Sequence, residues 1–158
     1  GGQQDSIDQW VADMIHLAQV RAGQYAYSVH NRYSGKLMEV AGASLLPTAA
    51  VNQFRAISSA LNQQWYYEYT SYPWMRLVSA QSGKCLDVNA SNQLMQQTCS
   101  GAATQLFRLL YIDNTYARVY SRAGRCVDNP GFSTGDGVRL QTYPCNGGAN
   151  QHWYFGIH

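Results

Sequence analysis

The chain opens with a segment whose hydrophobic spacing predicts an amphipathic helix over residues 5–22. Apolar residues recur there at intervals of three and four and form one stripe: Ile7, Trp10, Val11, Met14, Ile15 and Ala18. Ser6 and Gln9 form a capping box at the start, and Gly23 is a natural stop. We expect the stripe to pack, either on the rest of this chain or on a neighbouring domain, and we expect His16, off the stripe, to be solvated.

From residue 24 onward the pattern changes to short segments in which apolar and polar residues alternate, as they do in half-buried strands. Three of these segments, at 27–30, 75–78 and 117–120, are each followed by a related phrase. Residues 45–61 contain helix formers but also Pro47, and we interpret them as a loop plus a strand, with one helical turn at most.

The related phrases mark three repeats, at about 25–68, 74–110 and 116–155. They read YSGKLMEV at 33–40, QSGKCLDV at 81–88 and RAGRCVDN at 122–129. Each is followed by a Gln-x-aromatic motif: Gln63-Gln-Trp65, Gln105-Leu-Phe107 and Gln151-His-Trp153. A unit of this size cannot bury its own apolar face, so the three copies must close around a shared core. The sequence therefore predicts an all-β fold with threefold pseudo-symmetry, in one domain over residues 24–158, preceded by a helical junction over residues 1–23.

Composition narrows the class of partner. Charged residues make up 13% of the chain, against about 25% in an average protein, and there are 12 tyrosines. The net charge is +2 and the basic residues are scattered singly, so binding to nucleic acid is not expected. The longest apolar runs are too short to cross a bilayer, so insertion into a membrane is not expected either. Such a surface favours recognition by stacking and hydrogen bonds.

The four cysteines form two close pairs, Cys85 with Cys99 and Cys126 with Cys145. An even set at these spacings predicts two disulfides and an oxidising, extracellular compartment; free buried thiols are the alternative. No cysteine–histidine spacing typical of a metal site is present, and a calcium loop over 128–137 lacks the required carboxylates, so we expect no metal and no cofactor.

The third repeat carries the fullest set of polar and aromatic side chains around its cysteine pair. These residues are Asp128, Gln141, Tyr143, Asn150 and Gln151. A carboxylate accepts strong hydrogen bonds from hydroxyls, and an aromatic ring covers apolar C–H groups. The set suits a sugar, although Asp128 before Asn-Pro-Gly also suits a plain turn.

On these motifs the chain, over about residues 25–158, resembles the ricin-type β-trefoil lectins, or family 13 carbohydrate-binding modules. The resemblance implies a six-stranded barrel capped by three hairpins, and binding of galactose-type or related glycans in up to one shallow site per repeat. In the third repeat it implies that Asp128 accepts sugar hydroxyls and Tyr143 stacks on the sugar. It also implies that Gln141 lies beside the site, and that Asn150 and Gln151 supply amides.

The other two repeats match this site less well. A weaker second site has Asp87, Gln97 and Gln105, with Met95 and Thr104 at the remaining positions and no ring. A doubtful third site has Glu39, Asn62 and Gln63. There we align Gln53 with Gln141 and Arg55 with Tyr143, and leave open whether Phe54 or Tyr33 supplies a ring.

No catalytic motif is present, and the repeats disperse the acids Glu39, Asp87 and Asp128, so we expect a binding module and not an enzyme. The predicted function is that of a glycan-binding module of a secreted protein, which targets a larger enzyme or toxin that the helix contacts. The alternative is a trefoil subunit or inhibitor that acts by protein–protein contact.

Overall fold

The computed structural model describes residues 5–22 and 24–157. The described residues form one α-helix and thirteen strands, joined by short 3-10 turns. The helix, α1, spans Ile7–Arg21, and the Ser6 side chain accepts a hydrogen bond from the backbone N–H of Gln9 at 3.1 Å, as the predicted capping box requires. The predicted stop at Gly23 and residues 1–4 of the predicted junction lie outside the described residues.

Six strands close a barrel in the order β1, β13, β9, β8, β5, β4 and back to β1, with antiparallel pairing throughout. Their bounds are Tyr27–Asn31 (β1), Trp65–Ser71 (β4), Trp74–Ser79 (β5), Phe107–Tyr111 (β8), Ala117–Ser121 (β9) and Trp153–Ile157 (β13). Each repeat contributes equivalent strands, which confirms the threefold arrangement expected from the repeats.

Three hairpins cap one end of the barrel, one from each repeat. Their strands are Leu37–Val40 (β2) with Val51–Phe54 (β3), Cys85–Val88 (β6) with Leu94–Gln97 (β7), and Cys126–Asp128 (β10) with Gln141–Tyr143 (β12); a short strand, Val138–Arg139 (β11), joins the last hairpin to β3. Five 3-10 turns lie at Ala41–Ala43, Leu61–Gln63, Ala103–Gln105, Pro130–Phe132 and Ala149–Gln151. The architecture is a β-trefoil.

The Gln-x-aromatic motifs hold the barrel and the cap together. The rings of Trp65, Phe107 and Trp153 are buried in the shared core, while each preceding glutamine ties down the loop that follows the hairpin. The three are equivalent: Gln63 donates to the carbonyl of Arg55, Gln105 to that of Thr98 and Gln151 to that of Pro144, at 2.8 to 3.1 Å. A glutamine amide can donate and accept at once, which is why this residue type suits a buried turn.

Helix α1 packs on the barrel with a face that the apolar stripe did not predict. Its buried residues are Asp13, Leu17 and Val20, and Asp13 pairs with the buried ammonium of Lys84 at 2.5 Å. Asp5 also pairs with Lys84. The two acids neutralise the buried lysine. Leu17 and Val20 of the same face pack against Val78 and Cys85 of the barrel and the second hairpin.

The predicted apolar stripe therefore faces away from the barrel, with Ile7, Trp10, Val11, Met14 and Ile15 all exposed. The expectation that His16 is solvated was wrong: its ring is half-buried and hydrogen-bonded to Glu68 at 3.0 Å. None of the helices formed by the described residues is both long and apolar enough to cross a bilayer.

Candidate functional site

The third-repeat hairpin places its acid and its exposed ring on the same face. Cys126 pairs with Tyr143 and Asp128 with Gln141 in the antiparallel register. Residues directly opposite, and residues two apart along one strand, point to the same side of a sheet. The disulfide between Cys126 and Cys145 closes this hairpin. Tyr143, at the end of the hairpin, is 48% exposed.

The carboxylate of Asp128 is 2% exposed and accepts three side-chain amide hydrogen bonds. Gln141 Nε2 lies 3.0 Å from Oδ1, while Asn150 Nδ2 and Gln151 Nε2 lie 3.1 and 2.9 Å from Oδ2. The structure thus brings all five residues predicted for the third repeat onto one short unit. A carboxylate has about four acceptor positions, so this network leaves about one for a ligand hydroxyl.

Asn150 is fixed by its neighbours as well as by Asp128. Its Nδ2 also donates to the carbonyl of Asn129 at 3.0 Å, and its own carbonyl accepts from Asn31 Nδ2 at 3.0 Å. Gly148 makes this turn possible, because a Cβ there would lie 2.5 Å from Asn150 Oδ1. The supporting roles of Asn31, Asn129 and Gly148 were not predicted from the sequence.

A pair of aromatic rings lies beside the third-repeat unit, and this pairing was not predicted from the sequence. Phe132 and Tyr33 contact edge to face with centroids 5.1 Å apart, and both are exposed. Phe132 Cζ would lie 3.0 Å from a Cβ at Gly148. The pair therefore borders the turn that carries Asn150 and joins the third repeat to the first.

In the second repeat the acid is present, but it accepts a hydrogen bond from one side-chain amide where Asp128 accepts three. Asp87 accepts from Gln105 Nε2 at 3.1 Å and from the backbone N–H of Val88 at 2.7 Å. Met95 lies opposite Asp87, and Gln97 lies opposite Cys85, where the third repeat has Tyr143. The structure places Asp87 and Gln97 on one hairpin face without a ring, and Gln105 reaches Asp87 from the 3-10 turn Ala103–Gln105. The disulfide Cys85–Cys99 is formed.

In the first repeat the alignment of Gln53 and Arg55 was wrong by one residue. Glu39 pairs with Asn52, and Leu37 pairs with Phe54, so Asn52 and Phe54 occupy the positions of Gln141 and Tyr143. Because side chains alternate along a strand, Gln53 turns inward instead and donates to the carbonyls of Ser133 and Gly135 at 3.1 and 3.0 Å.

The first repeat therefore does have a ring at the stacking position, Phe54, with the guanidinium of Arg55 4.9 Å from its centroid. Glu39 accepts from Gln63 Nε2 at 3.1 Å, and Asn62 donates to the carbonyl of Val40 at 3.0 Å. Burial raises the pKa of Glu39, because its charged form loses hydration there; the hydrogen bond from Gln63 opposes this effect.

The three acids lie on three separate hairpins, and none shares a hairpin with another. Within residues 5–22 and 24–157 no group of three or more His, Cys, Asp or Glu side chains is arranged to hold a metal ion. The arrangement is one of separate, shallow polar patches with one ring each in the first and third repeats.

The chain is similar to known proteins in sequence and in fold. The family model of the ricin-type beta-trefoil lectin domain matches residues 25–153. The designed threefold-symmetric protein ThreeFoil is 31% identical, with a TM-score of 0.79 over 83% of this chain and 97% of that chain. An exo-beta-1,3-galactanase from Clostridium thermocellum is 30% identical, with a TM-score of 0.81 over 85% of this chain; the match spans 30% of the galactanase.

A ricin B-like lectin from Macrolepiota procera, solved in complex with lactose, has the same fold at 20% identity, with a TM-score of 0.68 over 83% of this chain and 94% of that chain.

Proposed function

The chain belongs to the ricin-type β-trefoil lectin domain family and is a carbohydrate-binding module, and from that premise we propose that its third-repeat hairpin binds a galactose-type sugar. One observation carries the proposal: Asp128, held by three amides, lies on the same hairpin face as the exposed ring of Tyr143. Nowhere else in the described repeats do an aspartate, its amide network and an exposed ring occur on one hairpin.

Each group has a distinct part in the proposed complex. Tyr143 covers the apolar C–H face of the sugar, which water solvates poorly. Asp128 accepts a sugar hydroxyl in a charge-assisted hydrogen bond. A second hydroxyl is accepted if one amide donor moves aside, and Gln141 is the one to move, because Asn150 and Gln151 are also tied to backbone carbonyls.

The galactose type is supported by chemistry and by the relatives. A galactose ring presents one continuous C–H face next to its axial hydroxyl, which fits a ring and an acid on one surface. A relative at 30% identity is an exo-beta-1,3-galactanase, and a lectin of the same fold was solved with lactose.

The other two repeats are proposed as weaker sites. The second lacks a ring, and Thr104 stands where the third repeat has Asn150. The first has the ring of Phe54, but burial disfavours the charged form of Glu39 that a hydroxyl would bind best. We expect one dominant site with a dissociation constant on the order of 1 mM, strengthened where several sites engage one glycan.

We also propose that the module is secreted and that it directs a larger enzyme or toxin to glycans. The two disulfides favour an oxidising compartment. In the galactanase the matched part is 30% of that chain, and the exposed stripe of α1 is suited to contact a further folded domain of the same polypeptide. Hydrogen exchange tests this: in the full-length gene product, amides of Ile7–Arg21 should be better protected than in this chain. Equal protection, or a gene with no further domain, would contradict it.

The sugar proposal is tested with Tyr143→Ala and the matched control Tyr72→Ala, which truncates a tyrosine that is 81% exposed on the β4–β5 turn. On an array of galactose-, glucose- and mannose-terminated glycans, wild type and Tyr72→Ala should bind galactose-type glycans equally. Covering one sugar face removes on the order of 60 Å² of apolar surface, so Tyr143→Ala should lose about 1–2 kcal/mol, near tenfold in affinity.

Equal binding by all three proteins would reject the third-repeat site, and binding of none of these glycans by wild type would favour the protein–protein alternative. Thermal melting of each variant separates loss of binding from loss of fold.

A further inference from the structure

Each repeat has a basic residue at an equivalent position, and the three differ in the groups that this residue contacts. Each repeat has a lysine or arginine directly after a glycine with positive φ: Lys36, Lys84 and Arg125. Lys36 Nζ lies 3.0 Å from Asp136 Oδ1, and the ammonium of Lys84 is paired with Asp13 and Asp5. Two of the three equivalent cations are thus neutralised by a carboxylate of the chain itself.

Arg125 differs, because the hydrogen bonds of its guanidinium go only to Thr142. Its Nε lies 3.3 Å from Thr142 Oγ1 and its Nη2 lies 3.1 Å from the Thr142 carbonyl. Among the described residues no carboxylate lies within 4.0 Å of the guanidinium of Arg125 or of its neighbour Arg122. A guanidinium has five N–H donors, so Arg125 keeps about three for a ligand.

The space in front of these two arginines is open. A cleft of about 420 Å³ lies between the second and third repeats, lined on one side by the segment 88–92 with Thr104 and on the other by Arg122, Arg125 and Thr142. The corresponding space at Lys84 is reduced to about 100 Å³, with Trp10 and Met14 of α1 in its wall. A volume of this size is typical of a small-molecule site and exceeds that of a simple anion.

Arg122 is positioned at the mouth of the cleft. Its side chain is exposed, and its guanidinium lies 4.6 Å from the ring centroid of Trp74, a cation–π contact that holds it in place. Two oriented guanidiniums, with Asn89, Asn92 and Thr104 opposite, present charge for a carboxylate and polar groups for hydroxyls.

We propose that this cleft binds the carboxylate of an acidic sugar residue, such as a uronic acid, in a glycan. The carboxylate takes the place beside Arg125 that Asp136 and Asp13 take beside Lys36 and Lys84, and the sugar hydroxyls face the second-repeat side. The ligand class rests on the proposed carbohydrate function, but neither Asp128 nor Tyr143 lines the cleft, so the two sites are tested separately.

The test is an NMR titration of the whole chain with trigalacturonic acid and, in parallel, with its methyl ester, which removes the charge and keeps the rings. The acid should shift the amide signals of Thr104, Arg122 and Arg125 and bind at least tenfold more tightly than the ester. Arg125→Gln should weaken binding of the acid about tenfold. Arg122→Gln, an exposed substitution that leaves the fold intact, should also weaken it.

Arg21→Gln, which removes one exposed positive charge from α1, is the matched control and should bind like wild type. Asp128→Asn should also retain the acid at the cleft, since Asp128 does not line the cleft. The proposal is overturned if the ester binds as tightly as the acid or if Arg21→Gln causes the same loss. It is also overturned if inorganic phosphate binds the cleft as tightly as the acid, because that result marks a general anion site. If the wild-type chain binds the acid but no galactose-type sugar, the third-repeat site is rejected and the cleft proposal stands.

Discussion

Replacing Asp128 by asparagine tests the amide network at the core of the third repeat. The asparagine oxygen can still accept from Asn150 and Gln151, and its new NH₂ group would face Gln141, whose amide can rotate to offer its oxygen. The shape of the network is thus preserved while its charge is lost.

The expected magnitude follows from the bonds that lose their charge. A hydrogen bond to a charged group is worth about 1 kcal/mol more than a neutral one, and all three amide bonds of residue 128 become neutral after the substitution. We expect Asp128→Asn to lower the free energy of unfolding by about 3 kcal/mol. By the same difference, a sugar hydroxyl whose acceptor loses its charge should bind about 1 kcal/mol more weakly, roughly fivefold in the dissociation constant.

The assays are urea unfolding for stability and NMR titration with lactose for affinity. Asp8→Asn, which removes an exposed acid from α1, is the matched control and should leave both quantities unchanged. An unchanged lactose affinity in Asp128→Asn would refute the role given to this carboxylate, and so would an equal loss in Asp8→Asn.

Three further predictions concern stability. Burial raises the pKa of Glu39 above its ordinary value of 4.5. Ionisation of Glu39 therefore lowers the free energy of unfolding, by an amount that is absent below pH 4.5 and grows until the pH passes the folded pKa. Glu39→Gln should therefore raise the melting temperature at pH 7 and change it little near pH 3.5. Asp13→Ala leaves the buried ammonium of Lys84 with one acid fewer and should lower the free energy of unfolding, measured in urea, by about 3 kcal/mol. Replacing Cys126 and Cys145 together by serine opens a loop of separation 19 and should cost about 3 kcal/mol in the same assay.

The fold was predictable because each of the three repeats contains the residues that form its core and its turns. The Gln-x-aromatic motifs supply the buried rings of the shared core, and the glycine turns set the start of each hairpin. These signals are local and repeated three times, so a single weak copy did not obscure the pattern. The site residues of the third repeat came from the same comparison.

The register of the first repeat was not predicted, because glutamine was aligned with glutamine. The structure pairs Glu39 with Asn52 just as it pairs Asp128 with Gln141, and both pairs have the same separation along the chain. Counting from the acid would have identified Asn52 and Phe54. The cysteine pair that fixes this count in the third repeat is missing from the first.

The face of α1 that packs could not be predicted from hydrophobic spacing alone. The spacing found the helix, but its orientation depends on Lys84, a residue far along the chain whose buried charge requires Asp13 and Asp5. The contrast between Arg125 and the two equivalent lysines has the same kind of cause, because acids from distant parts of the chain pair with Lys36 and Lys84. Pairings between distant charged residues leave no periodic signal in the sequence.

The most direct measurement for the lectin assignment is a crystal structure of the chain soaked with lactose. We expect the galactose ring to stack on Tyr143, with a hydroxyl within hydrogen-bonding distance of the Asp128 carboxylate. A sugar bound only on another part of the surface, with the Asp128 network undisturbed and Tyr143 uncovered, would contradict it.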